Sequence, residues 1–228
     1  MKANPSLNML EVAATRLGEL AERVAFVGGI TTSVYADHEM MPEPRVTDDV
    51  DCVVEVATKG SMDEFEREMR KKGFQHADRP ICRWKHGALT VDVVPTKGDR
   101  IYGFSNRWYE EAFEARERRT LPGGREINVF PLPYFIATKI EAYRDRGKGD
   151  FRGSHDFEDI VFVTAWASTV VASIKKSNAS VKDSLIKSFA AFAADPLLDE
   201  GIQCTLSQDD QIHRVRIRRI FAEIAALK

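Results

Sequence analysis

The spacing of apolar residues predicts a helix, a strand and a loop in the first part of the chain. Residues 6–23 place leucine and alanine at steps of three and four, which predicts a helix with one apolar face. The apolar run over residues 24–27 predicts a buried strand, and Gly28 and Gly29 predict the tight turn that ends it. Residues 30–45 have no clear period and contain two prolines, so we expect a loop with one helical turn.

Acidic residues interrupt the next apolar segment at regular intervals. Residues 50–56 are apolar at every second position, and Asp49 and Asp51 fall on the alternate positions. Because neighbouring side chains of a strand point to opposite faces, we expect one apolar face and two carboxylates side by side on the other. A capping box at residues 61–64 predicts a helix that continues to Gly73.

Two further strands with a turn between them are predicted in the middle of the chain. They cover residues 80–86 and 89–94, and His86 and Gly87 form the turn. In the second strand, Asp92 falls on the face opposite the one formed by its alternating leucine and valines.

The pattern after residue 104 is mainly helical. It predicts a helix over residues 105–119, a strand over residues 126–130 and helices for nearly all of the remainder. We therefore expect a fold of the α/β (α+β) class, with an α/β domain over residues 1–131 and a helical domain over residues 132–228.

Composition and charge exclude several classes of protein. The 228 residues are 43% hydrophobic and 30% charged, which is typical of a globular chain and not of a disordered or fibrous one. The net charge of -2 gives no general attraction to nucleic acid or to anionic membranes, so any nucleic-acid contact needs a local basic patch.

Cysteine usage and hydropathy predict a cytoplasmic protein without a membrane partner. Cys52, Cys82 and Cys204 are widely spaced and odd in number, which is not the pattern of a disulfide scaffold or a zinc site. The first residues lack the apolar core of a signal peptide. The longest uncharged run, residues 160–174, is shorter than the about 20 helical residues that cross a bilayer.

Three aspartates and a Gly-Gly turn form the candidate site. Asp49 and Asp51 share a strand face about 6–7 Å apart, and Asp92 has the matching position on a second strand. Carboxylates this close repel each other unless a cation lies between them, and they favour Mg²⁺ or Mn²⁺. Gly28 and Gly29 have no Cβ, which allows a phosphate to approach the backbone N–H groups.

These motifs, in this order, resemble the nucleotidyltransferase superfamily, which has the DNA polymerase β-like fold. The resemblance rests on FVGG at residues 26–29, RVTDDVD at residues 45–51 and the later acid Asp92. The long gap after the glycines, and the Arg and Thr before the D-h-D motif, are similar to the AbiEii/AbiGii toxin-like branch. That branch also has Ala-Thr-Lys followed by D-x-x-D, which residues 137–139 and 156–159 match.

The resemblance implies a nucleotidyltransferase mixed sheet flanked by helices, followed by a helical domain. It implies attack by an acceptor hydroxyl on the α-phosphorus of an NTP, with Mg²⁺ or Mn²⁺ held by Asp49, Asp51 and Asp92. These three aspartates and Lys139 would be the catalytic residues. The implied nucleotide-binding residues are Gly28, Gly29, Thr31, Thr32, Ser33, Arg45, Lys139, Asp156 and Asp159.

Several of these residues also have a purely structural interpretation. Asp156 and Asp159 suit the first turns of a helix that begins near Ser154, where carboxylates stabilise the positive end of the helix dipole. Hydroxyls after a turn, such as those at residues 31–33, usually satisfy local backbone groups. Lys139 lies among apolar residues, and a buried ammonium needs an anionic partner, for which we expect the substrate phosphate.

The sequence leaves the acceptor open. Basic clusters at residues 116–119, 144–152 and 213–219 favour an RNA acceptor if they line one groove, although each alone is typical of a solvated surface. The alternatives are a small molecule such as an antibiotic as acceptor, or a protein that binds a nucleotide without turnover. The toxin-like resemblance adds an antitoxin protein as a candidate partner.

Overall fold

Packing divides the chain into two units, each with its own buried core. One unit contains Met1–Val34 and Arg45–Pro131, and the other contains Tyr35–Pro44 and Leu132–Lys228. A computed structural model describes residues 4–37, 42, 44–45, 47–56, 58–147, 149–206 and 211–228. Residues 38–41 and 43 of the loop predicted over residues 30–45 therefore lie outside the described residues.

The first helix of the chain is shorter than predicted. Helix α1 covers Pro5–Leu17 and is capped by the side chain of Asn4. It ends because Gly18 adopts a φ of +59°, and the chain continues as a 3₁₀ helix over Gly18–Arg23. Apolar spacing alone does not distinguish these two kinds of helix, since both keep leucine and alanine on the buried side.

Seven strands form one mixed sheet in the first unit, which confirms the mixed α/β class. The strands are β1 (Val24–Val27), β2 (Val50–Val54), β3 (Gln75–His76), β4 (Arg83–His86), β5 (Leu89–Pro95), β6 (Glu117–Thr120) and β7 (Glu126–Val129). Their order is β3-β4-β5-β2-β1-β7-β6. Strand β2 lies at the centre, parallel to β5 and antiparallel to β1, while β1 is parallel to β7.

Further α-helices lie between the strands along the chain. They are α2 (Thr32–Tyr35), which follows a 3₁₀ turn, α3 (Lys59–Lys71), α4 (Gly98–Ile101) and α5 (Tyr109–Glu114). Helix α3 begins before the predicted capping box, because Thr58 and Ser61 form the box instead. Their side-chain oxygens each accept from the backbone N–H of the other at 3.2 Å.

The single helix predicted over residues 105–119 is wrong. Helix α5 ends at Glu114, and β6 begins at Glu117 and pairs antiparallel with β7. The Gly-rich turn at residues 121–125 closes this hairpin. Strand β6 is mostly exposed, so its pairing leaves no alternating apolar pattern in the sequence.

In the described part of the second unit, helices are connected by turns and loops, without strands. Its helices are α6 (Leu132–Asp145), α7 (His155–Trp166), α8 (Val170–Lys176), α9 (Ala179–Ala194), α10 (Leu198–Thr205) and α11 (Gln211–Ala225). An aromatic cluster built on Phe157, Phe192 and Phe221 forms its core. Asp37 joins this unit because its carboxylate accepts the backbone N–H and the hydroxyl of Ser168.

Helix length bears on membrane contact. Within the described ranges, no single helix is long and apolar enough to cross a membrane. Only His155–Trp166 and Val170–Lys176 taken together reach that length and composition, and they are bent by 102°.

Candidate active site

Two of the predicted aspartates are direct neighbours in the sheet. Asp51 on β2 lies opposite Asp92 on β5 in the parallel register. Side chains at paired positions point to the same face, so the two carboxylates lie side by side. Beyond them the same face is apolar, because Val53 is fully buried. The acids therefore stand at the edge of the core.

Asp49 is placed differently from the prediction. It lies in the bend directly before β2, which begins at Val50, and not within the strand. Its carboxylate nevertheless joins the other acids, because Arg83 contacts both Asp49 and Asp92.

Arg83 on β4 belongs to this site, and the sequence analysis did not predict it. Its Nε and Nη2 donate to the two oxygens of Asp92 at 2.8 Å each, a bidentate pair. The same Nη2 donates to Oδ2 of Asp49 at 2.7 Å. The hydrogen bonds that Arg83 donates to Asp92, together with the charges of both carboxylates, raise the pKa of Arg83.

The signal for Arg83 was present in the predicted hairpin. The β4–β5 register pairs Arg83 with Asp92, and it follows from the turn position by counting outward from His86 and Leu89. A cation opposite a buried acid is a favourable cross-strand pair. The composition and the spacing of the acids do not by themselves indicate that Arg83 is their partner.

The Gly-Gly turn is in contact with the acidic site. Gly28 ends β1 with a φ of +77°, which favours glycine. A Cβ on Gly28 would overlap the carboxylate of Asp51 and lie 2.8 Å from its Cγ. A Cβ on Gly29 would likewise overlap the guanidinium of Arg45. The two glycines therefore let an acid and a base approach the backbone at the end of β1.

Thr47 adds an unsatisfied hydroxyl beside this turn. Its side chain is buried, and its methyl carbon lies 3.1 Å from the position of a Cβ on Gly29. Among the residues that the structure describes, the Oγ1 of Thr47 has no hydrogen-bond partner. Buried hydroxyls rarely lack a partner, so this one suits a polar ligand.

The hydroxyls predicted to bind phosphate have local partners. Thr31 donates to the carbonyl of Gly28 at 2.9 Å, and Thr32 donates to that of Gly29 at 2.7 Å. A hydroxyl has one hydrogen, so these two donate to the turn itself. The Oγ of Ser33 accepts from Asn4 at 3.1 Å.

Two cysteines near the aspartates have raised thiol pKa values. Burial, followed by the charges of Asp51 and Asp92, raises the pKa of Cys52 well above its usual value. Burial and the charge of Asp92 raise the pKa of Cys82 to about 12. Both thiols are therefore neutral at pH 7 and are poor nucleophiles. The negative charge of the aspartates favours the binding of cations at this site.

The remaining predicted residues form a second cluster, in the helical unit. The ammonium of Lys139 on α6 lies 2.5 Å from Oδ2 of Asp159 and 3.2 Å from Oδ1 of Asp156 on α7. Arg146 donates to both oxygens of Asp156 at 2.8 and 2.9 Å. The side chains of Lys139, Asp156 and Asp159 are at most 7% exposed.

This second cluster supplies its own charge balance. Burial alone would raise the pKa of Asp156, but the hydrogen bonds of Arg146 and the charge of Lys139 outweigh it and lower that pKa. Ser154 caps α7, which places Asp156 in its first turn. The ammonium of Lys139 thus has two carboxylate partners, and the expectation that a substrate phosphate must supply the partner is wrong.

Several exposed arginines of the basic clusters pair with nearby acids. The pairs are Arg118 with Glu22 and Glu126, Arg119 with Glu117, Arg144 with Glu141, Arg152 with Asp150 and Glu200, and Arg218 with Asp199. Residue 148 of the second cluster lies outside the described residues. Paired arginines attract a phosphate backbone less strongly than unpaired ones.

The donor types of the acidic site fit Mg²⁺ or Mn²⁺, although the present arrangement is not a metal cage. In the described part of the chain, no group of three or more His, Cys, Asp or Glu side chains is arranged to hold a metal ion. One nitrogen of Arg83 contacts an oxygen of Asp49 and an oxygen of Asp92. A single cationic atom can therefore bridge both carboxylates, as a divalent ion does.

Comparison of the sequence with protein-family models and with curated proteins finds no match.

Proposed function

We propose that this chain is a Mg²⁺- or Mn²⁺-dependent nucleotidyltransferase that moves a nucleoside monophosphate from an NTP to an acceptor hydroxyl. The observation that carries the proposal is the meeting of Asp49, Asp51 and Asp92 beside the Gly28-Gly29 turn. Three carboxylates and a backbone turn without Cβ atoms are the parts that a metal-bound triphosphate requires.

Different residues around the turn would bind the phosphates and the metal. The guanidinium of Arg45 lies against Gly29, where it can pair with phosphate oxygens. Thr47, whose methyl group lies against Gly29, has an unsatisfied hydroxyl that can donate a further hydrogen bond. Asp51, held against Gly28, and its neighbour Asp92 present the oxygens for the metal. When bound, the metal supplies charge neutralisation of the phosphates and activation of the acceptor hydroxyl.

The resemblance alone predicts a nucleotide-binding role for Lys139, Asp156 and Asp159. Because two carboxylates already balance the charge of the ammonium, Lys139 would have to leave one of them to pair with a phosphate. Their mutual pairing also stabilises the helical unit, and this structural role needs no ligand. An antitoxin partner rests on the resemblance alone, and an RNA acceptor rests on the basic clusters of the sequence.

A second candidate function is nucleotide binding without turnover. The observation that favours it is that Arg83 pairs with Asp49 and Asp92, the two acids that would hold a metal. A site in which this pair never opens would bind a nucleotide through Arg45 and the turn, with no metal chemistry.

Label transfer separates these functions. The protein is incubated with each α-labelled NTP, Mg²⁺, and either total RNA or a metabolite extract. We expect the label of one NTP to appear on an acceptor, whose size class distinguishes RNA from a small molecule. Asp51→Asn should abolish transfer, whereas Asp63→Asn, at an exposed acid of α3, should not. Nucleotide binding without any transfer would support the second candidate.

A further inference from the structure

Arg83 occupies the position of a cation shared by two carboxylates. Its Nη2 lies 2.7 Å from Oδ2 of Asp49 and 2.8 Å from Oδ2 of Asp92. Its Nε holds the other oxygen of Asp92 at 2.8 Å. A divalent ion bridging Asp49 and Asp92 needs the same oxygens, and two cations cannot share them at contact distance. Metal binding there requires Arg83 to leave.

Arg83 is free enough to move. Its side chain is 30% exposed, and that of Asp49 is 36% exposed. The pair with Asp49 therefore contributes little net stability. Asp92 is only 10% exposed, so its bidentate pair with Arg83 can open only when another cation replaces the guanidinium. The buried cluster around Lys139, by contrast, has little access to water.

A triphosphate is the other partner that suits a guanidinium. Phosphate oxygens accept the same forked pair of hydrogen bonds as a carboxylate. When a metal takes the oxygens of Asp49 and Asp92, the freed Arg83 is left beside the phosphates that accompany that metal. Lys85, two residues along β4, is exposed and serves as a comparison.

We propose that Arg83 couples metal binding to nucleotide binding: it holds Asp49 and Asp92 in the resting site, and transfers to phosphate oxygens when metal and NTP bind together. This inference rests on the proposed function. It implies that the metal alone binds weakly and that the metal with a triphosphate binds strongly. Linkage requires that each ligand raise the affinity for the other by the same factor.

The test measures the two affinities separately in wild type, Arg83→Met and the control Lys85→Met. Mn²⁺ alone is titrated and followed by electron paramagnetic resonance. The α,β-methylene analogues of ATP, GTP, CTP and UTP are titrated by calorimetry in saturating Mn²⁺. We expect Arg83→Met to bind Mn²⁺ alone about tenfold more tightly than wild type, and the analogue with Mn²⁺ about tenfold less tightly. Lys85→Met should match wild type in both.

The outcomes separate this inference from the function on which it rests. If wild type binds an analogue with Mn²⁺ but Arg83→Met binds Mn²⁺ no more tightly, Arg83 does not compete with the metal and the inference is overturned. It is also overturned if Arg83→Met binds the analogue with Mn²⁺ as tightly as wild type. If wild type binds neither Mn²⁺ nor any analogue, the proposed function fails, and the inference fails with it.

A second variant, Arg83→Lys, keeps the proposal testable if Arg83→Met does not fold. Circular dichroism checks that Arg83→Met is folded. Arg83→Lys keeps the charge, but one ammonium cannot reproduce the forked contacts of a guanidinium. It should bind Mn²⁺ alone more tightly than wild type, by a smaller factor than Arg83→Met. An unchanged affinity in Arg83→Lys would contradict the competition.

Discussion

Replacing Lys139 by methionine should destabilise the helical unit even without any ligand. The substitution keeps the length of the side chain and removes the ammonium from Asp159 at 2.5 Å and from Asp156 at 3.2 Å. Breaking a buried ion pair by removing one partner costs about 3–5 kcal/mol, because the remaining charge stays away from water.

The expected loss lies near the lower end of that range. Asp156 keeps its bidentate pair with Arg146, so the larger part of the loss falls on Asp159, whose side chain is 3% exposed. We therefore expect about 3 kcal/mol for Lys139→Met. Adding Asp159→Asn removes the remaining buried negative charge, and the double variant should recover about 1–2 kcal/mol of that loss.

Urea denaturation followed by circular dichroism measures these values for the four chains of the double-mutant cycle. Lys187→Met, at an exposed position of α9, is the matched control and should stay within about 0.5 kcal/mol of wild type. A loss below about 1 kcal/mol for Lys139→Met would refute the interpretation that these ion pairs hold α6 to α7.

Three further outcomes are expected. Asp51→Asn should leave the free energy of unfolding unchanged or slightly higher, because it removes one negative charge from an acidic site; a cooperative loss of folding would show that Asp51 is structural. Gly28→Ala should destabilise more than Gly87→Ala in thermal melts, because both glycines have positive φ but only Gly28 faces Asp51; equal losses would contradict the contact. The lowered pKa of Asp156 means that the unfolded chain binds a proton first, so stability falls as the pH drops below about 4. Acid titrations of Asp156→Asn should show a weaker fall than those of wild type.

The strands that build the site could be predicted because their sequences are strongly apolar. Strands β1, β2 and β5 are short, mainly apolar segments rich in valine, and the equal parity of Asp51 and Asp92 follows from that pattern. The β6 hairpin could not be predicted in the same way, because its residues are charged and exposed and its stability comes from pairing with β7.

The ion-pair partners of the charged residues were the part of the site that the sequence predicted least well. Arg83 reaches Asp49 only after the hairpin folds beside β2, and Lys139 meets Asp159 only after α6 packs on α7. Sequence spacing identifies the charged residues but not which opposite charge the fold brings to each. The sequence therefore suggested a substrate phosphate where the chain supplies its own carboxylates.

The central claim is that the acidic site beside Gly28 binds a metal and a nucleotide as one unit, and thermal unfolding tests it most directly. Melts are recorded with an NTP, with Mg²⁺, and with both, for wild type and Asp51→Asn. At about 100 times the dissociation constant, binding adds about 2.7 kcal/mol, which for a chain of this size means about 5–10 °C. We predict this shift only for wild type with both ligands present. An equal shift without metal, or in Asp51→Asn, would contradict the account.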